Sequence, residues 1–298
     1  MGSLHFSMHD RYVSVHPVAL AMAGAAGAFA KQNNLPVTAD LHECGGALRY
    51  MVRMGLFNFI EVEHGVTLSE HEPAGRFIPL TQIRSSDELS KFIVEMVPLL
   101  HADPDEAGPM KYVISELVRN VLEHSLSSVG AIICAQYFQK TQRLSVGVSD
   151  LGVGIQTTMG RYQKVSTSLG AIHQALRPGI SGTSPKYGGN EFNAGAGLFF
   201  IKSIAHVSQN YFVIYSGDAL FKLRKTTDSE RDTLYADPTY DRATRVESLP
   251  EWPGTTIGID LSVTTRVSFK ALLAQIGKAY HLDVKEKKRA LYKKPRFV

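Results

Sequence analysis

The chain has 298 residues, 44% of them hydrophobic, which exceeds the usual size of one domain and is enough to bury a sizeable core. Its formal charge of +4 is unevenly placed, because residues 264–298 hold ten Lys/Arg against two Asp/Glu and leave the rest of the chain net negative. Two cysteines, Cys44 and Cys134, exclude a disulfide framework and fit a reducing, cytoplasmic compartment.

In chain order, the opening residues carry Phe6 where a myristoylation signal needs Ser or Thr. His5 and His9 are four apart but lie in a segment expected to be irregular, with no third ligand, so a solvated pair is the preferred reading. The run "VALAMAGAAGAFA" at 18–30 is too short to span a bilayer and has no basic leader, so neither a membrane helix nor a signal peptide is expected. From 13 to 60 the pattern predicts a short strand, an Ala-rich helix over 17–32, a strand over 37–41 and a helix over 46–59, the alternation of a small α/β unit. Residues 61–75 are acidic and punctuated by Gly and Pro, as a linker is. A helix over 85–100 follows, then "HADPDEAGP", which supplies turn residues, an N-cap and a Pro for a first helical turn.

The helix over 109–126 is the best-defined element. Met110, Val113, Ile114, Leu117, Val118 and Val121 recur at spacings of three and four, one continuous apolar stripe. Glu116, Asn120 and His124 fall on a neighbouring strip and should stand at the rim of the core, facing a cavity. Strands are predicted over 131–138 and 144–150, then a long region over 156–194 rich in Gly, Ser, Thr and Lys, a helix from 195, and strands over 211–215 and 256–261.

Two motifs carry chemistry. Asp150, Gly152 and Gly154 close a strand: a carboxylate there can accept from an exocyclic amine such as that of adenine, while the glycines let backbone approach a flat ring. An ordinary turn is the competing reading of that motif alone. Gly195, Gly197 and Leu198 open a helix whose N–H groups suit a phosphate; a loop joined to a core helix is the alternative. Neither glycine pair completes a dinucleotide fingerprint, since Thr157 and Phe200 stand where the third Gly belongs, and no Walker A motif or G-x-S-x-G occurs. The loop over 178–197 is rich in small hydroxyls and glycines, Ser181, Gly182 and Thr183 among them, with Lys186 as the natural phosphate contact.

The order of these pieces, ending in Gly254, Thr255 and Thr256 before a strand, resembles the GHKL superfamily of histidine-kinase-like ATPases over roughly residues 85–263. The resemblance implies a Bergerat fold, a two-layer α/β sandwich, with ATP and Mg²⁺ as cofactors. Asn120 matches the family's Mg²⁺-binding Asn, and Glu116 the acid that orients or deprotonates the attacking water in hydrolysing members. Asp150 matches the adenine-amine acceptor, with Gly152 and Gly154 shaping the base pocket. Gly195 and Gly197 match the second glycine box, where the lid meets the phosphates. Thr255 or Thr256 matches the Thr beside the adenine-binding Asp. His124 falls where histidine kinases often have His, and Glu123 stands where many of them have Lys, which leaves the phosphate contacts to the lid.

The expected organisation is therefore a small α/β domain at 1–75, an ATP-binding domain at 85–263 and a basic extension at 264–298. The first hundred residues resemble a STAS-like module in element order, with a plain α/β appendage as the competing reading. The expected function is an ATP-hydrolysing lid-closure switch; an ATP-dependent serine or histidine kinase acting on a separate partner, or a non-hydrolysing ATP sensor, are the alternatives. A protein partner is expected and a homodimer is allowed. The basic tail is compatible with nucleic acid, though a solvated tail is preferred.

Overall fold

A computed structural model describes residues 2–7, 14–41, 45–67, 77–99, 107–182, 196–227, 233–262 and 269–291. The architecture is mixed α/β. Seven strands form one antiparallel sheet: β3 (Phe77–Ile83), β4 (Ala131–Phe138), β5 (Arg143–Ser149), β6 (Phe212–Gly217), β7 (Ala219–Leu223), β8 (Ala243–Val246) and β9 (Trp252–Ser262). Their spatial order is β3-β4-β5-β9-β6-β7-β8, so the long β9 sits at the centre between β5 and β6. A separate pair, β1 (Leu4–Ser7) and β2 (Val37–Asp40), runs parallel. Among the described residues no helix is long and apolar enough to cross a membrane.

Alternation along the central strands assigns the two faces. Leu144, Val146 and Val148 of β5 and Ile257, Ile259 and Leu261 of β9 point into one core with the buried stripe of α5 (Ala107–Asn120) and with α8 (Gly197–Val207). α4 (Ser86–Leu99), α6 (Gly154–Gly160) and α7 (Ser168–Ala175) complete that face. The opposite face is covered by α1 (Pro17–Gln32), which packs with α2 (Gly45–Arg53) and α3 (Leu56–Ile60) against Ile132 and Cys134 of β4. Helices thus lie on both faces, and the sandwich expected to have two layers gains a third where α1 crosses β4, β5 and β9.

The reason α1 lies so flat is its stripe of small residues. Ala21, Gly24 and Ala25 are buried, and a methyl group on Gly24 would already touch Ile132 and Leu80 at 3.0 Å. The sheet answers with its own glycine: Gly147 of β5 lies directly beneath the Pro17 carbonyl, where a Cβ would overlap backbone. Pro17 fills the first helical position, where a missing N–H is harmless, and the His16 imidazole accepts from Val18 N at 3.1 Å. His16 also reaches across to Asp260 Oδ1 at 3.1 Å, which bonds Ser145 Oγ at 2.5 Å. A Gly147→Ala variant is expected to lose about 1–3 kcal/mol of stability in a denaturant titration, because backbone must move to admit the methyl group.

Several expectations change at this level. The first strand is Leu4–Ser7 rather than near residue 13, and it orders His5, whose ring bonds Thr38 Oγ1 at 2.8 Å and Asp40 at 3.2 Å; His9 lies outside the described residues. The helix expected over 46–59 divides, because Gly55 takes φ +76° and ends its first part. Strands β3, β7 and β8 and helices α6 and α7 were not expected, the helices falling in the region read as one long polar loop. The described part of the basic extension is a helix, α9 (Phe269–Leu291), and Ile276, Tyr280 and Val284, spaced by four, pack into the main core. It is therefore not wholly the solvated tail preferred above.

Candidate functional site

The helix that carries Glu116 and Asn120 changes character at its end. α5 stops at Asn120, and Val121–Ser125 continues as a π turn before Leu126 enters the left-handed region at φ +53°. Such widened turns in α-helices are frequent at functional sites. The π turn still brings His124 to the same cavity as Glu116 and Asn120. Among the described residues, two buried atoms facing this region, Asn120 Nδ2 and His124 Nδ1, have no hydrogen-bond partner. Unpaired buried polar atoms are rare in folded proteins, so both are suited to a ligand.

The second wall is the turn after β5. Asp150 is 1% exposed; its N–H donates to Thr255 O at 2.9 Å, its Oδ1 accepts from Gly152 N at 2.7 Å, and its carbonyl accepts from Trp252 Nε1 at 3.1 Å. Burial pushes its carboxyl up to about 7, and the Gly152 and Thr255 amides oppose that shift only in part. The turn is tied to the end of the π segment by Val153 N donating to Ser125 O at 2.7 Å. Gly152 packs against that Ser125 carbonyl, where no side chain fits, and shapes the turn without lining the cavity. Gly154, at φ +72°, does line it and starts α6. Ser216 of β6 holds the turn from below: its hydroxyl accepts from Ile155 N at 2.9 Å and donates to Gly254 O at 2.7 Å.

β9 separates the two threonine candidates. Side chains of a strand alternate between faces, and Thr255 lines the cavity while Thr256 points to the α1 face, bonding Ser149 Oγ at 2.7 Å. The third wall is the start of α8. Gly197 and Leu198 line the cavity, and a Cβ on Gly197 would stand 2.5 Å from Glu116 Oε2, so a larger residue there would displace the carboxylate from the helix N-terminus. Burial raises the Glu116 pKa; Arg119 opposes the shift and Glu123 adds to it. Ser181 and Gly182 reach the cavity from the segment after α7, whereas Thr183, Lys186 and Gly195 lie outside the described residues.

The cavity enclosed by these walls has a volume of about 130 Å³. Its lining combines these polar groups with the apolar side chains of Val148, Ile155, Met159 and Ile257. Ile155, Thr158 and Met159 were missed by sequence reasoning because α6 was; their spacing of three and four was the available signal. The arrangement can hold a flat, partly apolar group with a donor directed at Asp150, and an attached polar group toward Glu116, Asn120 and α8. The chain matches no family model and no curated protein.

Proposed function

We propose that this chain is a GHKL-type ATPase of Bergerat fold, binding Mg-ATP in the α5/β5/α8 cavity and hydrolysing it. The observation that carries this reading is the convergence on one cavity of Asp150, Gly154 and Thr255 from the ends of central strands with Glu116 and Asn120 from α5, His124 from the π turn after it and Gly197 from α8. These residues are far apart in the chain, and an ordinary turn or an ordinary core helix would give no reason for them to meet. Asp150 accepts the adenine amine, and the apolar lining covers the faces of the ring. The first turn of α8 offers N–H groups to the phosphates, beside the Glu116 carboxylate, which can hold a water.

The residues present fit the ion. Asn120 offers one neutral side-chain oxygen, since its nitrogen has no partner among the described residues and its amide can be turned either way. Mg²⁺ takes few protein ligands beside phosphates and water, and it would neutralise charge on the phosphate oxygens. Glu116 lies one helical turn before Asn120 and acts as the proton acceptor for water.

Asn120→Ala is expected to abolish Mg²⁺-dependent ATP binding while leaving the unfolding midpoint nearly unchanged, since Ala is the better helix former. Isothermal titration with and without Mg²⁺ checks this. Normal Mg-ATP affinity in the folded variant removes the assignment.

A further inference from the structure

Outside the cavity, a polar network surrounds Lys202. This lysine lies on α8, five residues after Gly197, and its side chain is 2% exposed. Its ammonium donates to Asp241 Oδ2 at 2.5 Å and to Tyr235 O at 2.9 Å. Both partners belong to the segment 235–242 that leads into β8. The segment is itself braced: one Arg245 terminal nitrogen donates to the carbonyls of Pro238 at 2.7 Å, Thr239 at 3.1 Å and Asp241 at 2.9 Å. Arg245 Nε meets His173 of α7 at 3.3 Å, and Asp237 pairs with Arg177 just past the end of α7.

A buried ammonium is costly to desolvate, and apolar side chains of similar size would stabilise a helix contact as well. What an ion pair adds is one permitted geometry. Here that geometry is the seating of α8, whose first turn meets Glu116. The same segment also holds Arg177, three residues before Ile180, which begins the stretch of cavity wall that includes Ser181 and Gly182. One segment thus fixes two walls of the cavity while lining neither.

We infer that residues 235–242 are a positioning strap, which acts through the buried Lys202–Asp241 pair to hold the N-terminus of α8 against Glu116 and so sets affinity for the phosphate end of a nucleotide. The inference rests on the nucleotide reading above for its ligand, but not for its tether. Lys202 and Asp241 are positioning residues; neither touches the cavity.

The test compares wild type with Lys202→Met/Asp241→Leu, which replaces both charges with apolar groups and leaves none unpaired. Asp237→Asn is a milder variant, acting at the half-buried Arg177 anchor, in case the double variant fails to fold. Hydrogen exchange of the free proteins is read first. The amides of α8 from Phe200 onward, the first that are hydrogen-bonded within the helix, are expected to exchange at least about tenfold faster in the variants, with β5 and β9 unchanged. Calorimetric titration then uses Mg-ATP and adenosine: Mg-ATP affinity should fall about tenfold or more, and adenosine affinity should stay within about twofold. Unchanged exchange at α8 overturns the strap, as does an equal loss of affinity for the two ligands, which is what a merely structural role produces. If wild type binds neither ligand, the nucleotide reading fails and with it the affinity part of the inference, while the exchange result alone decides the tether.

Discussion

Glu116→Gln is expected to bind Mg-ATP as wild type does and to release phosphate about 10²–10⁴-fold more slowly, the usual contribution of a general base. Glutamine keeps the length of the side chain and the helix propensity, and it removes only the proton acceptor. The surroundings of Glu116 suit it to act as a base: Gly197 approaches close to its carboxylate, and Asn120 follows one turn later. Its raised pKa strengthens it as a base, at the cost of a smaller ionised fraction at low pH. Hydrolysis should therefore climb as pH rises through the folded-state value of this carboxyl and then level off, and the variant should show no such limb. Phosphate release followed across pH for both proteins is the measurement. Equal rates above background would show that Glu116 is not the base and makes only a helix-surface interaction, whereas no release by either protein would show that the chain senses nucleotide without turning it over.

What the sequence disclosed, and what it concealed, follows from how strongly each segment is patterned. The stripe from Met110 to Val121 repeats at helical spacing over twelve residues, so both its buried side and the polar strip beside it were readable. Asp150 with Gly152 and Gly154 was readable because a strand ended there. The choice between Thr255 and Thr256 was not: neighbouring strand positions face opposite ways, and only the register that pairs Ser149 with Thr256 assigns Thr255 to the cavity. α6 and α7 were hidden by brevity and by their Gly, Ser and Thr content; Met159, Ala171, Ile172 and Leu176 are too few to show a period against that background. α9 was hidden by charge, since its lysines dominate the composition while the apolar row Ile276, Tyr280, Val284 is thin. The π turn after Asn120 has no sequence signature, and neither does the packing of α1 across the sheet. A stripe of alanines and glycines predicts a close approach, but not the surface approached.

The Asp150 carboxyl offers the sharpest test of the adenine end of the cavity, because its folded-state pKa, raised by burial from 3.8 to about 7, makes binding depend on pH with a fixed sign. A proton on the carboxyl must leave before Asp150 can accept a hydrogen bond from an amine in its charged form. Adenosine affinity is therefore expected to rise by up to about tenfold per pH unit below neutrality and to level off above about pH 7. Adenosine is the right ligand, since it has no phosphate whose own titration would add to the slope. The free protein gives the matching stability signature. A carboxyl whose pKa is higher folded than unfolded supports the fold fully below the unfolded value, and that support is lost as pH rises through about 7. Asp150→Asn should remove this loss, so that thermal stability depends less on pH, while adenosine binding weakens by about 1.5–3 kcal/mol through loss of a charge-assisted bond. The two effects have opposite signs in one variant, stabilising near neutral pH and harmful to the ligand. A general disturbance of the turn would instead lower both. Unchanged adenosine affinity in a folded Asp150→Asn protein, or an affinity in wild type that is flat from pH 5.5 to about 7.5, would take Asp150 out of the base pocket.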